Sequence, residues 1–96
     1  MIRMETRFVS ATWCKACAKI KEPFINHCKA LGIEPEWIDY DSMTEEDQAT
    51  IKSLPTMMVR EAGKPWIYYI ASEFESWKST ITSFSLASIM EKTTDF

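Results

Sequence analysis

Trp13-Cys14-Lys15-Ala16-Cys17 sets two cysteines two residues apart, directly behind a tryptophan. At this spacing two thiols can close a small disulfide ring. Where such a pair follows a strand and opens a helix, the first sulfur lies beside unpaired backbone N–H groups and the positive end of the helix dipole. Both stabilise a thiolate. The chemistry these residues suit is reversible thiol–disulfide exchange.

The flanking pattern supplies the elements that must hold them. Thr6 to Ala11 reads as a short strand that runs up to the cysteines. From Lys15 to Leu31 the apolar residues Cys17, Ile20, Phe24, Cys28 and Leu31 recur at three- and four-residue steps, which predicts an amphipathic helix. Gly32 suits its C-terminal cap. Pro23 falls inside the helix, where it removes an N–H and crowds the Lys19 carbonyl, so a kink is expected. Glu36 to Asp41 reads as a second strand. Ser42 or Thr44 can cap a short helix reaching about Lys52, acidic in its first turn at Glu45, Glu46 and Asp47. Leu54-Pro55-Thr56 leads into a strand over Met57 to Glu61. The turn Ala62-Gly63-Lys64 returns the chain as a strand over Trp66 to Ile70, giving a hairpin. Ser72-Glu73-Phe74-Glu75 reads as a capping box opening a last helix, with Phe74, Trp77 and Ile81 on one face. Ile81 to Ser85 is a poor helix former, which predicts a break before Leu86.

The order is thus β-α-β-α-β-β-α: an α/β fold whose opening β-α-β implies a right-handed parallel crossover and whose hairpin adds an antiparallel pair. The expectation is a four-stranded mixed sheet flanked by helices, with residues 1–96 forming one domain. The 96 residues are 46% hydrophobic and 12% aromatic, an ordered globular composition. A net charge of −3 gives no electrostatic reason to expect nucleic acid as a partner. No apolar run is long enough to span a membrane. Met1 to Arg7 is too polar for a secretory signal, and three cysteines, an odd number, do not suggest a structural disulfide framework. A cytoplasmic protein is expected.

A zinc site is the competing use of the cysteine pair, and it needs four ligands. Only His27 and Cys28 are available in addition, both on the same predicted helix. Eleven residues separate Cys17 from Cys28, roughly 16 Å at helical rise, too far for one metal or one disulfide. No metal and no cofactor is expected. Cys28 continues the apolar stripe and reads as a buried small hydrophobe. His27 lies off the stripe and reads as solvent-facing.

Trp13-Cys14-x-x-Cys17 after a strand, joined to Leu54-Pro55-Thr56 about forty residues on, resembles the thioredoxin family, in a small and diverged, partly glutaredoxin-like form. The likeness covers roughly residues 6 to 71. It implies a thioredoxin-like fold and a protein-disulfide reductase. Cys14 would be the exposed nucleophile that forms a mixed disulfide with substrate, and Cys17 the more buried resolving thiol. Lys15 would favour the Cys14 thiolate. Trp13, Leu54 and Pro55 would contact substrate, with a cis peptide bond before Pro55 and an extended substrate pairing on the Leu54 backbone. The implied partners are protein disulfides and a thioredoxin reductase-like flavoprotein, with the protein acting as a monomer.

The sequence also departs from that family. Many thioredoxins carry a buried Asp six residues before the first cysteine and a Lys on the next strand; Phe8 and Trp37 stand at those positions. Losing both together is coherent, because one buried charge without its partner is costly. Lys15-Ala16 replaces the familiar Gly-Pro, a dipeptide that helps set reduction potential. Pro23 stands one residue later than the family's helix proline, and the glycine often found after the last strand is missing around Ala71. The chain begins almost at the strand feeding the cysteines, giving the shorter core of glutaredoxins. Yet Ser53-Leu54-Pro55 and Ala71-Ser72-Glu73 match the glutathione-holding segments of glutaredoxins poorly. Two alternatives therefore stand beside the reductase: a glutathione-dependent glutaredoxin, and a non-enzymatic binding module that uses Trp13 and the Leu54 edge.

Overall fold

A computed structural model describes residues 3–93, with side-chain surroundings through Leu86. Its elements are β1 (Met4–Ser10), α1 (Lys15–Leu31), β2 (Glu36–Asp39), α2 (Glu45–Gln48), β3 (Thr56–Glu61), β4 (Ile67–Ile70) and α3 (Phe74–Thr93). The strands form one mixed sheet in the order β2-β1-β3-β4. β1 and β2 are parallel, with Phe8 opposite Trp37 and Ser10 opposite Asp39. β1–β3 and β3–β4 are antiparallel. The parallel pair needs a crossover, and α1 supplies it.

Alternation along the strands assigns the two faces. Phe8, Met57 and Val59 point toward α1 and α3, where they join Cys17, Phe24, Cys28, Trp77 and Ile81 in the core. Trp77 is fully buried, and a buried indole N–H needs an acceptor. Its Nε1–H donates to the Thr6 hydroxyl at 3.2 Å, and that hydroxyl donates to the Met58 carbonyl at 2.7 Å. One threonine thereby ties α3 to two central strands. On the opposite face, Met43 and Ile51 from the segment around α2 line a pocket together with Val9, Ile38 and Met58. Nearby, the Arg7 and Arg60 guanidiniums lie 4.4 Å and 4.1 Å from the Trp66 ring.

α1 has the predicted bounds. Gly32 ends it in the left-handed conformation at φ 70°. The Gly32 N–H reaches the Lys29 carbonyl at 3.1 Å and the Ile33 N–H reaches the Cys28 carbonyl at 2.9 Å, a Schellman closure that satisfies two terminal carbonyls. The helix runs through the exposed Pro23.

Several expectations change. β1 begins at Met4 and ends at Ser10. β2 stops at Asp39, whose carboxylate accepts the Asp41 N–H at 3.3 Å and bends the chain into a 3-10 turn over Tyr40–Ser42. Thr44 caps α2, which ends at Gln48 rather than near Lys52. There the Thr50 hydroxyl takes the Asp47 carbonyl at 2.6 Å, a side-chain competitor for a helix bond. The capping box at Ser72 and Glu75 does not form: a 3-10 turn over Ala71–Glu73 intervenes, and the Glu73 carboxylate accepts the Ile70 N–H at 3.0 Å. α3 is not broken near Ser83. Its weak segment is held by distant partners, Thr80 bonded to the Tyr69 hydroxyl at 2.7 Å and Thr82 to His27 at 3.1 Å. Tertiary contact overrides propensity here.

Candidate functional site

The site is built where the C-terminal end of β1 meets the first turn of α1. The Cys14 N–H donates to the Ala11 carbonyl at 3.1 Å, a turn that lifts Thr12 and Trp13 into solvent. Cys14 is the N-cap of α1. Its sulfur takes the role a Ser or Asp oxygen has in other helices, accepting the Cys17 N–H at 3.1 Å. A donor aimed at sulfur at the positive end of a helix favours the thiolate over the thiol. Cys14 and Cys17 are joined as a disulfide, with Cα atoms 5.3 Å apart.

The two sulfurs differ in surroundings. Cys14 is half-buried, whereas Cys17 is only 4% exposed and belongs to the core. An attacking group from solvent therefore meets Cys14 first. Lys15 is exposed in the first turn of α1, beside Cys14 in the chain.

Leu54, Pro55 and Trp13 are brought to the same edge. The Leu54–Pro55 peptide bond is cis, as the resemblance implied. Pro55 is buried, and the Thr56 hydroxyl donates to the Ser53 carbonyl at 2.7 Å, pinning the loop around the proline. Trp13, Cys14, Lys52 and Leu54 line one groove of about 270 Å³. Of the six residues singled out from the sequence, Trp13, Cys14 and Leu54 line this groove, Cys17 is bonded to Cys14, Lys15 follows Cys14 on α1, and Pro55 is buried next to Leu54 in the chain.

Three residues were not read from the sequence as part of the site. Asp41 accepts the Trp13 Nε1–H at 3.0 Å. Lys21 and Asp39 share a second cleft with both cysteines. The signal for Asp41 was slight: an acidic residue just past the end of the strand beside β1.

Beneath the disulfide, Phe8 is 1% exposed and its ring lies 5.4 Å from Trp37 and 4.7 Å from Phe24. The positions that often carry Asp and Lys thus hold an apolar contact. Cys28 is free and buried, and desolvation pushes its thiol up to about 12, so it stays protonated at neutral pH. His27 is half-buried rather than fully solvent-facing. Its ring packs 5.5 Å from Trp77 between α1 and α3, and burial, followed by the charge of Lys78, lowers its pKa. Among the described residues no three His, Cys, Asp or Glu side chains gather as a metal site, and no helix is long and apolar enough to cross a membrane.

No protein-family model and no curated protein sequence matches the chain. Solved structures do. The germline-specific thioredoxin Deadhead of Drosophila melanogaster is similar at 14% identity and a TM-score of 0.72, over 84% of this chain and 80% of that one. Thioredoxin of Fasciola hepatica is similar at 24% identity and 0.70, over 85% and 81%. Thioredoxin of Plasmodium falciparum is similar at 25% identity and 0.67, over 88% and 73%. The family that the two motifs resemble is thus the family whose fold the chain has.

Proposed function

From a thioredoxin fold with a cysteine pair closed at its helix N-terminus, a thiol–disulfide oxidoreductase, we propose a reductase of protein disulfides that acts through Cys14 and Cys17. The observation that carries this reading is the unequal placement of the two sulfurs on one helix turn, one half-buried and one in the core.

In the reduced protein the Cys14 thiolate attacks a substrate disulfide. A Cys14–substrate bond forms, and the first substrate sulfur leaves as thiolate. Cys17 then loses its proton and attacks Cys14. The Cys14–Cys17 bond forms, and the second substrate sulfur leaves and is protonated. Two electrons have passed to the substrate together with the proton Cys17 gave up, and water supplies the proton that the first thiolate takes. An intramolecular thiol acts at high effective concentration, so the intermediate is not trapped. Trp13 and Leu54 give an extended peptide an apolar groove beside the reacting sulfur, and Lys15 favours thiolate there by its charge.

A thioredoxin reductase-like flavoprotein returns the two electrons in this reading, and the protein works as a cytoplasmic monomer. Insulin-like disulfide reduction tests it, with either a reductase and NADPH or glutathione as the electron source. Turnover with the reductase is expected. Turnover supported by glutathione alone would replace this reading with a glutaredoxin.

A further inference from the structure

Resolution of the mixed disulfide requires Cys17 to lose a proton, and its surroundings oppose that loss. Cys17 is 4% exposed and belongs to one core cluster with Phe8, Phe24 and Trp77. An apolar setting disfavours the charged thiolate, so the proton needs an acceptor within reach. Cys17 lines a cleft of about 500 Å³ between α1, the end of β1 and β2.

Two of the described residues lining that cleft carry charge at neutral pH, Lys21 from α1 and Asp39 from the end of β2. Lys21 stands four residues past Cys17 on the same helix face, with its Nζ 5.7 Å from the Trp37 ring. As an ammonium it has donors only and takes no proton. Asp39 can take one. It ends β2 opposite Ser10 of β1, the strand that runs into the cysteine loop. Both carboxylate oxygens are oriented by the 3-10 turn: Oδ1 accepts the Asp41 N–H at 3.3 Å, and Oδ2 accepts the Ser42 hydroxyl at 3.0 Å. Each oxygen keeps a further lone pair, and among the described residues no ion pair engages it. The nearby Asp41 carboxylate is bonded instead to the Trp13 indole at 3.0 Å, and Trp13 lines the separate groove with Leu54. A polar cleft of this size holds water, which can carry a proton across it.

We propose that Asp39 is the proton acceptor for Cys17 during resolution, reached through water in this cleft. The Cys17 S–H gives its proton to water, and that water gives one to the Asp39 carboxylate, which becomes a neutral carboxyl. The Cys17 thiolate attacks the Cys14 sulfur. The Cys14–Cys17 bond forms, the Cys14–substrate bond breaks, and the electron pair leaves on the substrate sulfur. Asp39 returns its proton through water to that sulfur and is again a carboxylate. Lys21, one turn along α1, favours the Cys17 thiolate by its charge while the proton is on Asp39.

The inference rests on the reading of Cys14 as nucleophile and Cys17 as resolving thiol, and the test reads the two separately. The reduced protein is mixed with dipyridyl disulfide, an uncharged aromatic disulfide that releases an absorbing thione at each step. The first equivalent reports attack by Cys14, the second resolution by Cys17. Asp39→Asn keeps an oxygen for the 3-10 turn but takes up no proton. It should leave the first phase within about twofold, the size of a screened charge effect. It should slow the second by about a hundredfold at neutral pH, the lower end for a positioned general base. The wild-type second phase should show a plateau between the carboxylate and thiol titration ranges; in Asp39→Asn it should rise about tenfold per pH unit, because hydroxide then collects the proton. Formate added to Asp39→Ala at constant ionic strength should restore the second phase in proportion to its concentration, a rescue that a merely structural residue does not show. A second phase in Asp39→Asn that matches the wild type in rate and pH profile overturns the proposal. So does equal slowing of both phases, which would mark Asp39 as a support for the turn. A wild type that releases one equivalent or none sinks the redox reading of the pair instead.

Discussion

The Trp13 indole is tethered to the Asp41 carboxylate at 3.0 Å, across the gap between the cysteine loop and the turn that follows β2. Trp13 is 63% exposed, so packing alone does not fix the ring. The bond holds it as one wall of the groove beside Cys14. Asp41→Ala should therefore raise KM for a protein disulfide by a few fold, on the order of one exposed hydrogen bond, and leave reduction by mercaptoethanol unchanged. Steady-state kinetics with both reactants checks this, and an unchanged KM would show that the tether does not matter for substrate.

Phe8 and Trp37 bear on the proton of Cys17. As cross-strand partners with rings 5.4 Å apart, they put apolar surface where a carboxylate at position 8 would stand, and leave Asp39 as the acidic side chain in the cleft that Cys17 lines. We hypothesise that this slows resolution of the mixed disulfide. Phe8→Asp alone would place an unpaired charge in the core and cost about 3–5 kcal/mol, so the informative variant is Phe8→Asp with Trp37→Lys. In a protein that still folds, single-turnover resolution should quicken. If it does not, the apolar pair is no brake.

The parts of this site that could be read from sequence are those made by neighbours in the chain. The Cys14–Cys17 spacing, the bounds of α1, Gly32 as its terminator and the loop before Thr56 all depend on local pattern. Resemblance added the cis bond at Pro55. What escaped depends on contacts between residues far apart. Asp41 meets Trp13 only because β2 lies beside β1, and Lys21 meets Asp39 in one cleft for the same reason. The break predicted in α3 failed likewise: Thr80 and Thr82 are poor helix formers whose side chains are held by Tyr69 and His27. Local pattern makes Glu73 the second residue of a box at Ser72, but its carboxylate reaches back to the Ile70 N–H.

The roles of the two cysteines separate by trapping. Cys17→Ser should stall at a stable Cys14–substrate disulfide, visible as a mass adduct that thiols release. Cys14→Ser should give no adduct and lose turnover by orders of magnitude, because Cys17 is nearly sealed from solvent. Adducts forming equally well in both variants would reverse or merge the assigned roles. A Cys14→Ser/Cys17→Ser protein that keeps full biological activity would point to a binding module.

His27 should make stability fall in mild acid. Burial and the charge of Lys78 depress its pKa in the folded protein below the ordinary histidine value of 6.5, so the unfolded chain takes up the proton first. The stabilising difference is present above about pH 6.5 and is lost as pH falls through the lower, folded value. His27→Gln should flatten urea-denaturation stability over that range. A wild-type profile with no slope there would contradict the shift.

Cys28 acts at the opposite end of the pH scale. Its thiol is raised from 9.0 to about 12 by desolvation, so the unfolded chain releases the proton first. The native state keeps its full advantage below about pH 9 and loses it between there and about pH 12. The loss is at most about 1.4 kcal/mol per pH unit for one group. Cys28→Ala should remove this slope while costing some stability at neutral pH, because it leaves a small cavity between α1 and the sheet. In the wild type, iodoacetamide at pH 8 should leave Cys28 unmodified in the reduced, folded protein while it alkylates Cys14. Alkylation of Cys28 at a rate like that of Cys14, without unfolding, would mean that this sulfur is not enclosed by Phe24 and its core neighbours.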